Sequence, residues 1–396
     1  MPVPTPFHPR TSALCESLRW KDWAGYHAVC FYGDHHEPEY HAVRQAAGLL
    51  DVTPLYKVLV SGPDATEFLA FVSARDTSRL QQGQVGYGCW CNEEGQVLDD
   101  GTVTRWDDQH YRVTTADPSA AHFRSFAKGF DVTIEDVTDQ VASLAVQGPA
   151  SRAILAACCE GGIEDLKFFW STSVRLAGVD LEVTRTGYTG DLGYELWMPN
   201  DQALTVWDAL IEAGEPHGML PIGLNALDVC RIEAGFILLG VDYYSARRCM
   251  APSQISTPYE LGLGWSVHLK NRGPFVGHEA LRKEKAEGSA WRLVALDIDW
   301  DELESLFDEE GLPPCVPMEA WRTAVPVYSG NRQIGRATSG VFSPLLKKNI
   351  ALASVKMPHG SLGEKVSIET TVEFRRRRVT ATVVDRPCFD PERKRS

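Results

Sequence analysis

Two stretches of this chain share one layout, an apolar strand, then Gly-Pro, then an amphipathic helix. The first is Val58-Leu59-Val60-Ser61-Gly62-Pro63, followed by Ala65, Phe68, Leu69 and Phe71. The second is Leu144-Ala145-Val146-Gln147-Gly148-Pro149, followed by Ala153, Ile154 and Leu155. Glycine turns the backbone sharply, and proline is tolerated at a first helical position, where an N–H would have no partner. Two related α+β units are the simplest reading of that repeat.

The 396 residues leave room for two or three domains. A β-rich hairpin region lies between the repeats, around Val97–Trp106 and His110–Thr115, with Asn92-Glu93-Glu94-Gly95 as its turn. Another hairpin covers Val174–Arg185, and residues 201–213 and 225–235 carry helical spacing. The polar segment Glu284–Ser289 sets off a mostly β tail from Trp291 onward, which reads as a separate antiparallel sheet or barrel. An acidic insert at 299–321 interrupts that tail, with Leu303, Leu306 and Phe307 at helical spacing.

A formal charge of −14 argues against nucleic acid or an anionic membrane as a partner. No apolar run reaches the length of a membrane span, and Met1–Pro6 lacks the features of a signal peptide, so a cytoplasmic location is expected. The ten cysteines form no paired C-x-x-C array. Cys89 and Cys91 fall on one strand face, and buried reduced thiols are expected rather than a metal site. The His- and Glu-rich stretch 32–41 lacks metal-ligand spacing and is broken by Pro38. Arg375–Arg378 read as a solvated strand edge.

Two blocks could carry chemistry. Gly95-Gln96-Val97-Leu98-Asp99-Asp100-Gly101 sets two adjacent acids beside a strand, where successive side chains face opposite ways. One acid can therefore point inward and act as a proton acceptor or stabilise a cation. The pattern alone fits a plain turn better. Arg185-Thr186-Gly187-Tyr188-Thr189-Gly190-Asp191-Leu192-Gly193-Tyr194-Glu195-Leu196 offers backbone N–H groups, two phenols and a carboxylate able to take parallel donors from a planar heterocycle. It lacks the G-K-[ST] of a phosphate loop, and a plain glycine-rich hairpin fits it equally well.

In order along the chain, these blocks resemble the aminomethyltransferase (glycine cleavage T-protein) family. The resemblance runs through His41–Arg44, Ala47–Val52, Gly62-Pro63, Asn92–Asp100, Val146–Pro149, Thr186–Leu196 and Gly223–Gly240. It continues through Pro258–Leu281 and Thr338–Pro344 to Ile350–Ala353. It implies an α+β, three-domain, cloverleaf-like fold with a C-terminal antiparallel β-barrel and tetrahydrofolate in a central channel. The expected units are 1–50 with 140–245 for the folate domain, 51–139 with 246–285 for a second α+β domain, and 286–396 for the barrel. The resemblance makes Asp100 the catalytic carboxylate, sets Tyr188 and Glu195 beside the pterin, and matches Tyr87 to a family tyrosine upstream of the acid pair.

Three departures stand out. The family's Gly-Leu-Gly-Ala-Arg-Asp appears as Gly223-Leu224-Asn225-Ala226-Leu227-Asp228, so Leu227 replaces a pterin-side arginine. Arg231, one helical turn on, could substitute as a folate ligand or serve in a structural ion pair. Val241–Met250 and more intervene before Pro258-Tyr259-Glu260, and the 299–321 insert is the third departure. Together they point to an enzyme moving a methyl or methylene unit from a small N-, S- or O-methyl donor to tetrahydrofolate, with no nucleic-acid or membrane partner. One alternative is a glycine cleavage aminomethyltransferase acting on a lipoyl carrier protein. Another is a non-catalytic folate-binding protein, although the Lys-Gly-Cys-Tyr motif of such relatives is missing.

Overall fold

The structure is a computed structural model describing residues 1–316 and 319–396, so two residues of the acidic insert lie outside it. The two Gly-Pro stretches adopt one conformation. Tyr56–Ser61 and Val141–Gln147 are strands, and Ala65–Val72 and Ser151–Cys158 are the helices that follow. Gly62 and Gly148 sit at φ +133° and +132°, a region that side chains disfavour. A Cβ would lie 2.4 Å from the Asp131 carbonyl in one turn and 2.6 Å from the Ala46 carbonyl in the other. The glycine carbonyls accept the N–H of Ala65 at 3.1 Å and of Ser151 at 3.0 Å. Each proline lies within the turn and precedes the helix cap, so its fixed φ shapes the approach to the helix, and the first helical position falls to Ala65 and Ser151.

Each repeat strand belongs to its own sheet. Tyr56–Ser61 pairs with His110–Thr115 and Thr133–Asp136 in a five-stranded antiparallel sheet completed by Val85–Cys91 and Val97–Arg105. Phe68, Leu69 and Val72 of the helix cover Val58, Val60 and Val113 in one buried cluster. Val141–Gln147 lies between Gly193–Pro199 and Gly48–Asp51 in a seven-stranded sheet. There Ile154 and Leu155 pack with Trp207 and Leu210 of the helix Ala203–Gly214 over Leu144, Val146 and Leu196. Burying each such side chain contributes about 1.5–3 kcal/mol.

Residues Trp291–Ile298, Val325–Ser329, Arg332–Ser343, Lys348–Lys356, Lys365–Val372 and Arg375–Val384 close an antiparallel barrel. The acidic insert supplies the helix Trp300–Asp308, whose Leu303 and Phe307 pack against the barrel core. Closure gives Arg375–Arg378 a paired strand in Lys365–Val372, and Arg375, Arg376 and Arg377 meet Glu310, Glu369 and Glu309. The barrel meets the seven-stranded unit through the helices Glu37–Gln45 and Leu224–Glu233, where Tyr40, Val43, Val229 and Ile232 pack with Val341, Ile350 and Leu352. No helix among the described residues is long and apolar enough to cross a membrane. Another cluster, with Cys89, Cys91, Val97, Ile237, Tyr243, Leu261 and Leu293, ties the five-stranded sheet to the irregular segment after Gly235 and to the barrel.

Candidate active site

The acid pair lies within the strand Val97–Arg105, directly opposite Cys89 and Trp90, so it is not a turn. Strand alternation sends the two carboxylates to different tasks. Asp99 is buried and accepts the N–H groups of Asp100 and Asp117, both at 2.9 Å, and the Ser119 hydroxyl at 3.4 Å. It thereby fixes the loop entering the helix Ala120–Phe126. Asp100 faces the other way. Its Oδ2 accepts the Tyr87 hydroxyl at 2.6 Å, and its Oδ1 accepts the Tyr243 hydroxyl.

Burial raises the pKa of Asp100, against the lowering effect of the bonds from Tyr243 and Tyr87. Burial, with Asp100 beside it, drives Asp99 well above the usual carboxylate range. Burial and the Asp100 charge likewise push both phenols well up, so Tyr87 and Tyr243 stay protonated as donors at neutral pH. A carboxylate fixed by two phenols keeps spare lone pairs for a ligand.

Two aromatic pairs frame this centre. Tyr87 stacks on Trp265 at 6.1 Å, and Tyr188 stacks on Phe236 at 5.6 Å while donating its hydroxyl to the Ile237 carbonyl. Tyr188 lies within the fields of Asp100 and Arg231. Asp100, Tyr87 and Tyr188 are thus brought together from two sheets. Glu195 stands apart, on the strand Gly193–Pro199. Thr186 donates to its Oε2 at 2.5 Å, and Oε1 has no protein donor among the described residues. Burial raises its pKa, against Thr186 and the nearby Arg112. All four residues are largely surrounded by protein yet keep some accessible surface. Two small hollows elsewhere, of about 30 and 10 Å³, have room for little more than water.

The amino-terminal part of the chain, residues 13–271, matches the GCVT N-terminal domain, and residues 315–390 match the glycine cleavage T-protein C-terminal barrel domain. The chain belongs to the glycine cleavage T-protein family. An aminomethyltransferase from Caldanaerobacter subterraneus is 34% identical over 90% of this chain and 88% of its own length. Another, from a Thermoanaerobacter species, is 36% identical over 83% and 84%. A trimethylamine-oxide aldolase from Ruegeria pomeroyi is 36% identical over 90% of this chain and 43% of its own. The solved aminomethyltransferase T of the Bartonella henselae glycine cleavage system superposes with a TM-score of 0.83 at 24% identity, covering 98% and 99% of the two chains. The α+β fold with its closed barrel is that of the family, a family of transferases.

Against the family pattern, Leu227 packs in the apolar interface between the helix Leu224–Glu233 and the barrel. Arg231 is 1% exposed and holds Asp228 at 2.7 Å, Asp242 at 2.5 Å and Ser339 at 3.1 Å. Its Nη2 is buried without a hydrogen-bond partner among the described residues. The Asp242 carboxylate also accepts the Leu238 N–H at 2.9 Å, closing the tight loop that carries Tyr243. Arg231 therefore reaches Asp100 through Asp242 and Tyr243.

Sequence reasoning missed Tyr243, Phe236 and Trp265. The segment after Gly240 was legible as a departure, but nothing local to Tyr243 says that it meets a carboxylate 143 positions earlier. Trp265 alone carried a signal, as a large aromatic beside glycines.

Proposed function

We propose that this protein is a tetrahydrofolate-dependent one-carbon transferase that takes a methylene unit from an aminomethyl donor, with Asp100 as its reacting carboxylate. The observation that carries the reading is the Asp100 carboxylate, held by two phenols and still partly accessible, as Tyr188 and Glu195 are. The donor set suits a reduced pterin: aromatic faces at Tyr188 and Phe236 for the ring, and a free Glu195 oxygen for its N–H groups. In the proposed step a sulfur-bound aminomethyl carbon leaves both its sulfur and its amine and becomes bonded to two folate nitrogens. Those nitrogens lose two protons, the sulfur and the amine gain one each, and ammonium departs. Asp100 accepts a proton from the folate amine and stabilises the cationic carbon in transit. The likeness to full-length aminomethyltransferases supports an aminomethyl donor, such as a lipoyl carrier arm, over a methyl donor.

The second reading is a small N-, S- or O-methyl or methylamine donor. It is favoured by Leu227, by the Tyr243 segment and by the match to the trimethylamine-oxide aldolase. Calorimetry with tetrahydrofolate, followed by separate assay of methylene- and methyl-tetrahydrofolate, decides between the two. Methylene product with ammonium release from an aminomethyl donor supports the first reading, and either product from a small methylated donor the second. Absence of folate binding would remove both.

A further inference from the structure

Arg386 follows the last barrel strand and reaches back between the two α+β units. Its Nη1 donates to the Gly235 carbonyl at 3.4 Å and its Nη2 to the Leu261 carbonyl at 3.3 Å, both long contacts. No carboxylate among the described residues pairs with it. The contrast is with Arg44 and Arg231, which hold two carboxylates each. The berth is nonetheless built for this side chain. Gly262 and Gly235 sit at φ +71° and +67°. A Cβ on the first would lie 2.0 Å from Arg386 Nη2, and on the second 2.4 Å from its Cγ. A side chain at either position would force Arg386 to shift from this placement.

The place of that berth gives it meaning. Gly235 precedes Phe236, the partner of Tyr188, and Gly262 lies three residues before Trp265, the partner of Tyr87. The guanidinium therefore lies against the two backbone segments that carry Phe236 and Trp265. The Tyr87 and Asp242 side chains lie within its field, and burial lowers its pKa from the usual arginine value. An arginine stays charged even so, and a largely buried cation without a counter-ion is costly unless a ligand supplies the anion. The helix Leu224–Glu233 meanwhile offers Leu227 where the family has an arginine.

We propose that Arg386 is a ligand-binding residue that takes a carboxylate of the bound substrate in a two-pronged pair, supplying from the barrel a cation that the helix lacks. The proposal rests on the folate reading of this site. A carboxylate can come from the glutamate tail of the folate or from the carbon donor, and the guanidinium fork suits either.

The test compares wild type, Arg386→Met and Arg386→Lys by calorimetry, with thermal melting as the control for folding. The first pair of probes is tetrahydrofolate and 6-methyltetrahydropterin, which has no carboxylate. The second pair, added to folate-loaded protein, is N,N-dimethylglycine and trimethylamine, which differ by a carboxylate. Loss of one charged hydrogen-bonded pair corresponds to roughly ten- to hundred-fold weaker binding. If Arg386→Met loses this for tetrahydrofolate but not for 6-methyltetrahydropterin, the carboxylate is that of the folate. If it loses this for dimethylglycine alone, the carboxylate is that of the donor. Arg386→Lys, which keeps the charge without the fork, should fall between, and it carries the test should the methionine variant fail to fold. Variants that bind all four probes as wild type does would overturn the assignment. Wild type that binds neither pteridine would instead overturn the folate reading itself.

Discussion

Asp99 and Asp100 are neighbours of identical chemistry, and one peptide unit of strand alternation separates a structural acid from the proposed reacting one. Asp100→Asn should lower turnover by roughly 10²- to 10³-fold, the scale of losing a positioned acid–base or electrostatic group. Asp99→Asn should act mainly on stability, because it weakens the bonds to Asp117 and Ser119. Equal turnover loss in both variants would contradict this division. Tyr243 gives a sharper test. Burial raises the Asp100 pKa and the Tyr243 bond lowers it, so Tyr243→Phe removes a lowering contribution. The carboxylate then gains its proton at higher pH, and the acid limb of the kcat/KM profile should move upward. A Tyr243→Phe profile displaced downward, or unmoved, would show that the phenol does not act through Asp100.

Among the elements, the Gly-Pro turns leave no room for a side chain. Gly62→Ala and Gly148→Ala each combine positive φ with a carbonyl clash. Each should cost roughly 2–4 kcal/mol by urea denaturation. Gly129→Ala, at φ +98° in open space, should cost only about 1 kcal/mol. Equal costs at all three sites would mean that the clashes relax. The helix Glu37–Gln45 contributes a pH effect. Glu39 is 4% exposed and accepts the N–H groups of Tyr32 at 2.6 Å and Gly223 at 2.7 Å. Burial raises its pKa to about 7, against the opposing backbone bonds. Its folded pKa lies above its unfolded one, so its contribution is full below about pH 4 and is lost as pH rises through 7. Wild type should therefore lose on the order of 3 kcal/mol between pH 4 and pH 8 relative to Glu39→Gln. The two variants are compared by the pH slope of their urea midpoints. Parallel slopes would place the titration elsewhere.

Across the whole molecule, Glu233 is the hinge pin of the barrel. Its carboxylate takes Arg44 at 2.6 Å, the Tyr40 hydroxyl at 2.5 Å and the Ser343 hydroxyl of the barrel, joining two helices to a strand. Neutralising Glu233 leaves the buried Arg44 with only its longer carboxylate contact, to Asp191 at 3.4 Å, and losing a charged hydrogen bond costs about 1.5–3 kcal/mol. Glu233→Gln should therefore lower the unfolding free energy by that amount. It should also separate barrel melting from that of the α+β units, as seen when near-UV signals from different tryptophans no longer coincide. A single unshifted transition would show that the interface is held by its apolar contacts alone.

The sequence by itself determined the strand–Gly-Pro–helix repeat, the β-rich barrel and the family pattern. Each of these rests on local periodicity, or on glycines whose φ no other residue adopts cheaply. It also marked the 95–101 and 185–196 blocks, though local pattern alone fitted a turn and a hairpin just as well or better. Only the tertiary structure decided that Tyr243 meets Asp100, and that Arg231 is spent largely on Asp228 and Asp242. It also placed Arg386 from the barrel beside glycines of two other segments. Those are contacts between residues more than a hundred positions apart, or choices between ion-pair partners of equal chemistry. No local pattern encodes them, because their energy exists only once the chain has brought the groups together and excluded water.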